Sequence, residues 1–257
     1  MLKRQAIDGS RRLMFSRQMP NYRLDNLLHH DDDCVAIFWH IGILFNRIKK
    51  SGNTSLRLAL DSLESRLVGV EPGALDHKMP RYLRNREVAR LRTFHSAVFV
   101  RNPFTRALSM FRDKLLPPYR DADYGRFSRV PGFGDDSPQG FTNFLRSLRT
   151  VEENQQSIDR HFFRQVDLLV KPVEEFSVVG HLESFPQDPE KLLKLANIKA
   201  NASELADQHS RTPHVTNSAK KLGEYYSKES FSLVSEIFEE DFRTFGYEFE
   251  IPIEGAK

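Results

Sequence analysis

A chain of 257 residues, 39% hydrophobic and 28% charged, can bury a sizeable core as one domain with appendages and has the balance of a soluble globular protein. Its formal charge of +3 gives no case for a general nucleic-acid binder, and its one cysteine, Cys34, excludes an internal disulfide and a cysteine-based zinc site. The longest apolar run, residues 35–45, is interrupted by His40 and is too short to cross a bilayer.

In chain order, residues 1–34 are polar and irregular and read as a loose arm, with 22–28 able to pack on the body. Residues 35–257 then read as a single domain. Residues 35–48 form one long or two short buried strands. Residues 54–68 place Leu56, Leu60, Leu63 and Leu67 at helical spacing, with Thr54 or Ser55 as a cap. Residues 80–91 are a basic helix candidate, and 96–100 a second strand. Pro103 favours the first turn of a helix running over 104–115. Residues 117–140, rich in Pro, Gly and Asp, form a long loop of the kind that serves as a lid or binding surface. Tyr119, Tyr124, Phe127 and Phe133 lie there among arginines. Further helices are expected at 141–148, 189–197 and 230–245, and short strands at 166–170 and 176–180. Strands alternating with helices imply an α/β sheet with helices on both faces.

Two strand-to-helix junctions carry the chemistry. In the first, an apolar run passes into Lys49, Lys50, Ser51, Gly52, Asn53, Thr54 and Ser55, and then into the first amphipathic segment. Gly52 lets the backbone approach an anion, and the N–H groups of the following helix start point at it. Lys50 adds a mobile charge, while Ser51, Thr54 and Ser55 add hydroxyl donors. The order differs from a Walker A loop, because here the lysine precedes the glycine. In the second junction, a strand delivers Arg101 to the edge of the sheet, and Ser109 stands on the second turn of the next helix. Together they make a fork for a second phosphate. An ordinary turn at 50–53 and a surface arginine at 101 are the bland alternatives.

These junctions resemble those of the carbohydrate sulfotransferases of sulfotransferase family 2. The family's Pro-Lys-x-Gly-x-Thr-Ser loop is answered by residues 49–55, and its Val-Arg-Asn-Pro-Phe-x-Arg-x-x-Ser-x-x-x-x-Lys motif by Val100 through Lys114. His161 and Gln165 with Gly180 and Glu183 resemble a His-x-x-x-Gln…Gly-x-x-Glu region, and residues 241–247 its closing Asp-Phe-x-x-Phe-Gly-Tyr. The resemblance spans roughly residues 40–250. Lys49 stands where the family more often has proline, and Arg47 where it often has histidine.

The resemblance implies a P-loop-kinase-like three-layer sandwich with a mainly parallel sheet. It also implies transfer of a sulfuryl group from 3′-phosphoadenosine 5′-phosphosulfate (PAPS) to a hydroxyl of a carbohydrate acceptor, anionic acceptors included. Lys49, Lys50, Ser51, Gly52, Asn53, Thr54 and Ser55 would hold the 5′-phosphosulfate, and Arg101 and Ser109 the 3′-phosphate. No metal is required. Lys50 would stabilise the leaving group; strand alternation separates it from Lys49, and the motif register favours it. His77, in the loop before the basic helix, is the provisional base, against a reading as a solvated loop histidine. His95 adjoins the second strand and reads as structural, His161 as structural or substrate-contacting, and Glu183 as a structural partner. Residues 214–218 with Lys220 and Lys221 are a candidate nucleotide contact. The absence of a visible signal segment suggests a bacterial-type cytoplasmic enzyme, a trimmed Golgi-lumen catalytic domain being the alternative. A P-loop nucleotide kinase and a non-catalytic polyanion-binding module remain the competing functions.

Overall fold

A computed structural model describes residues 9–29, 34–118, 127–153, 159–185, 187–198 and 218–252. In chain order the elements are α1 (Gly9–Gln18), α2 (Leu24–Leu27), β1 (Val35–Phe38), β2 (Ile43–Asn46), α3 (Asn53–Val68), α4 (Asn85–Leu91), β3 (His95–Val100), α5 (Pro103–Lys114), α6 (Pro138–Glu153), β4 (Val178–His181), α7 (Gln187–Leu195), α8 (Leu222–Tyr225), α9 (Lys228–Ile237) and α10 (Glu239–Phe245). They fall into two compact units, Met1–Val100 with Leu168–Thr212 and Arg101–Asp167 with Pro213–Lys257.

The first unit carries a four-stranded sheet in the order β1-β2-β3-β4. β1 and β2 form an antiparallel hairpin with Val35 opposite Asn46, whereas β2–β3 and β3–β4 are parallel. The two central strands, β2 and β3, are buried, mostly apolar runs, as strands covered on both faces must be, whereas β4 at the edge is half-buried. On one face Phe38, Phe45, Ala97, Phe99 and Val178 pack against Leu56, Leu60 and Leu63 of α3 and Leu192 and Leu193 of α7. This is a mostly parallel α/β sheet flanked by helices, as the alternation of segments implies. The expected loose arm differs over residues 9–29. There, α1, α2 and the residues just after each bury Phe15, Met19, Leu27 and Leu28, and Arg11 donates to the carbonyls of Arg81 and Leu83 at 2.6 and 3.1 Å.

The second unit is a helical body with a phenylalanine-rich core. Phe104 and Phe111 of α5, Phe141 and Phe144 of α6, and Phe238 and Phe242 near the C-terminus are all buried. Phe104 stacks on Phe231 and tilts against Phe242 at centroid distances of 5.1 and 4.9 Å.

Three local expectations are corrected. Residues 166–170 form no strand; a 3-10 turn occupies Val166–Leu168. The reason lies in the hydrogen bonds, because Val166 N donates to the Asp241 carboxylate and Val170 N to the Asn46 side chain, so side chains replace a sheet neighbour. The helix expected over 230–245 is two helices, broken at Phe238 (φ −109, ψ 21). The basic helix begins later than expected, with a 3-10 turn at Pro80–Tyr82 before α4, whose start is fixed by Glu87 accepting from Arg84 N at 2.7 Å.

Candidate functional site

The first junction is built around Asn46, the buried last residue of β2. Its amide donates to the carbonyls of Cys34 and Leu168, both at 3.2 Å, and accepts from Val170 N at 2.8 Å. Sequence reasoning missed this residue, although a polar side chain closing an apolar run was its signal. From there Arg47 reaches across the loop, its Nε donating to Asn53 Oδ1 at 2.8 Å. Lys50 adopts φ 66 and Gly52 φ 70, both left-handed. For lysine that conformation is sparsely populated, and such backbone strain gathers at functional loops. The left-handed φ of Gly52 favours glycine, and a Cβ there would lie 2.7 Å from Leu182 Cδ1, so any side chain would push Leu182 aside. Ser51 and Ser55 are buried within the loop, and Lys49 and Lys50 are half-buried. Asn53 opens α3, a helix of 16 residues. The first-turn N–H groups of such a helix have no partner inside it and form, with its dipole, an anion site.

A cavity of about 340 Å³ follows β1, lined by Val35 to Phe38, Arg47, Arg57, His77, Lys78 and Met79. Arg47 thus serves both the loop and the cavity wall. His77 is 20% exposed; its Nε2 lies 2.7 Å from Asp61 Oδ1, and its Nδ1 lies 3.1 Å from the Ile37 carbonyl and 3.5 Å from Glu64 Oε2. Asp61 also accepts from Gly73 N at 2.8 Å, while Glu64 receives His40 N at 2.6 Å. His77 is therefore no solvated loop residue. A carboxylate orienting an imidazole is the arrangement of a general base. Here the second nitrogen also faces an acceptor, so to serve as a base His77 would have to leave the Ile37 carbonyl and give up the proton held there. Apo geometry of this kind tightens or rearranges on substrate binding.

The second unit carries the other junction. Asn102 caps α5, accepting from Phe104 N at 2.9 Å, and Pro103 occupies the first turn. Arg101 Nε donates to Thr105 Oγ1 at 3.1 Å, and Thr105 in turn donates to Asn102 O at 3.0 Å. Ser109 stands one turn beyond Thr105 and is buried.

Of the other candidates, His161 Nδ1 is tied to Asp159 at 2.5 Å. Glu183 is exposed. The buried carboxylate of that region is Asp188, which sequence reasoning did not single out; it accepts from His181 N at 2.8 Å and from Lys191 at 2.5 Å. In the loop over 117–140, Tyr119 and Tyr124 lie outside the described residues. Phe127 is a buried member of the core and Phe133 packs against it, so these two rings form no acceptor surface. Residues 214–217 also lie outside the described residues, and Ser218 is buried.

A strand, a left-handed lysine–glycine loop and a long helix define an α/β protein whose strand-to-helix turn has the form of an anion-binding loop. The model of the sulfotransferase family matches residues 36–248, and the chain belongs to that family. It is 28% identical to carbohydrate sulfotransferase 10 of Mus musculus and of Homo sapiens over 235 residues, which is 80% of this chain and 64% of those proteins. Carbohydrate sulfotransferase 12 of Xenopus laevis is 25% identical over 177 residues, 62% of this chain and 41% of that protein. The chain thus spans a little under two thirds of the length of the mouse and human relatives. No solved structure matches.

Proposed function

We propose that this protein transfers a sulfuryl group from PAPS to a hydroxyl of a carbohydrate acceptor, in line and without a metal. The observation that carries the reading is the loop over 49–55, in which a left-handed lysine and a left-handed glycine lead into the N-terminus of a 16-residue helix. As the acceptor oxygen forms its bond to sulfur, the bond from sulfur to the 5′-phosphate oxygen breaks. That oxygen leaves with the electron pair in 3′-phosphoadenosine 5′-phosphate (PAP). Lys50 and the start of α3 meet the charge that gathers there. Lys49, Ser51, Asn53, Thr54 and Ser55 hold the 5′-phosphosulfate, and Arg101 with Ser109 takes the 3′-phosphate.

The acceptor proton goes to His77, which Asp61 orients. The acceptor itself lies in the cavity along β1, where Arg47 and Arg57 favour an anionic saccharide such as one bearing a carboxylate. Support for the carbohydrate comes from the relatives' names and from these two cations. The test is incubation with sulfur-labelled PAPS, a chelator, and matched neutral and uronic-acid-bearing oligosaccharides. Label transferred preferentially to the acidic acceptors, and lost in Lys50→Ala, is the expected result. Binding of sulfated polymers with no turnover would replace the enzyme with a polyanion-binding module, and nucleotide binding that requires magnesium would favour a kinase-like activity.

A further inference from the structure

The two motifs without an assigned role, the glutamine of residues 161–165 and the aspartate opening 241–247, meet the second junction within one unit. Gln165 is 0% exposed, and its amide clamps the backbone of Arg101 at two points. Oε1 accepts from Arg101 N at 2.9 Å and Nε2 donates to Arg101 O at 2.8 Å. The seat of Gln165 is fixed in turn by Asp241, 0% exposed in the first turn of α10. The two carboxylate oxygens of Asp241 accept from Gln165 N and Val166 N, each at 2.9 Å. Asp241 also attracts the buried guanidinium of Arg106, on the first turn and a half of α5. The backbone at the start of the Arg101–Arg106 turn is therefore tied to Asp241 through Gln165.

Glutamine suits this position by its chemistry. A planar amide offers one acceptor and one donor side by side, which matches the N–H and C=O of a single residue; a carboxylate would set an oxygen against the Arg101 carbonyl. With its backbone clamped and its Nε on Thr105, Arg101 has few ways to turn, so its guanidinium is preorganised rather than ordered at the cost of binding energy.

We infer that Gln165, seated by Asp241, is a positioning residue for the 3′-phosphate, acting through Arg101. This rests on the reading above that Arg101 meets that phosphate. The test compares PAP with adenosine 5′-monophosphate, which lacks only the 3′-phosphate, by titration calorimetry on the full chain. The variants are Gln165→Met, Gln165→Glu and Asp241→Asn, each checked by thermal melting. The wild type should prefer PAP. Gln165→Met and Gln165→Glu should lose at least about tenfold of that preference while their affinity for the monophosphate stays within about twofold, and Asp241→Asn should show the same change at smaller size. Folded variants that keep the preference, or that weaken both nucleotides alike, would overturn the inference and leave the donor reading intact. A wild type with no preference for PAP would overturn both. Failure of all three variants to fold would make the network structural alone and overturn the positioning role.

Discussion

Lys50 shows how little side chain the first grip needs. It sits in a left-handed turn beside a buried serine, three residues before α3 opens at Asn53. Lys50→Ala should lower kcat with PAPS by about 10²-fold or more, because a group aimed at developing charge is lost, while the melting temperature changes little. Gly52→Ala belongs to a different class. It forces a left-handed alanine and a methyl group into Leu182, so unfolding by denaturant should reveal a loss of about 1–3 kcal/mol. His77→Asn should reduce kcat by about 10²-fold with PAP affinity unchanged, and unchanged kcat would remove the base assignment. The order of residue types made this loop legible in the sequence: apolar run, lysines, glycine, hydroxyls. The residues that hold it were hidden for a physical reason. Asn46 meets Leu168 and Val170 more than 120 positions later, and His77 meets Asp61 across a loop. A single sequence has no signal for side-chain pairs of that separation.

At the level of elements, the end of β4 and the start of α7 are joined by Asp188. Burial raises its carboxyl, but the Lys191 ammonium and the His181 N–H outweigh that and hold it below its ordinary value. A carboxylate depressed in the folded state stabilises above its unfolded value and loses that contribution as pH falls through the folded one. Asp188→Asn should therefore be less stable than wild type near neutrality, by about 1–2 kcal/mol, and the gap in melting temperature should close below about pH 4. In the same strand, Gly180 lies under Phe99, and a Cβ there would approach the ring to 2.3 Å. The strands ending at Asn46 and Val100 and the helices after them could be read from periodicity, since apolar runs bounded by turn chemistry have few alternatives. The failures have a common cause. Residues 166–170 have strand-like composition, but their N–H groups belong to Asp241 and Asn46. The C-terminal stripe reads as one helix because its apolar spacing carries on through Phe238, where the backbone does not.

For the molecule as a whole, two cores support the two junctions, one a sheet closed by α3 and α7, the other a body of stacked phenylalanines. The α/β class followed from the alternation of strands and helices, and the family from two spaced motifs; the partition into two units had no marker in composition. Donor binding is the claim on which everything else depends. The most direct measurement is calorimetric titration of PAP into wild type and Arg101→Ala with a metal chelator present. Metal-free binding that weakens by roughly 2 kcal/mol or more in the variant is the expected result, since a charge-assisted contact is removed. No binding of PAP, or binding of ATP that depends on magnesium and ignores Arg101, would contradict it.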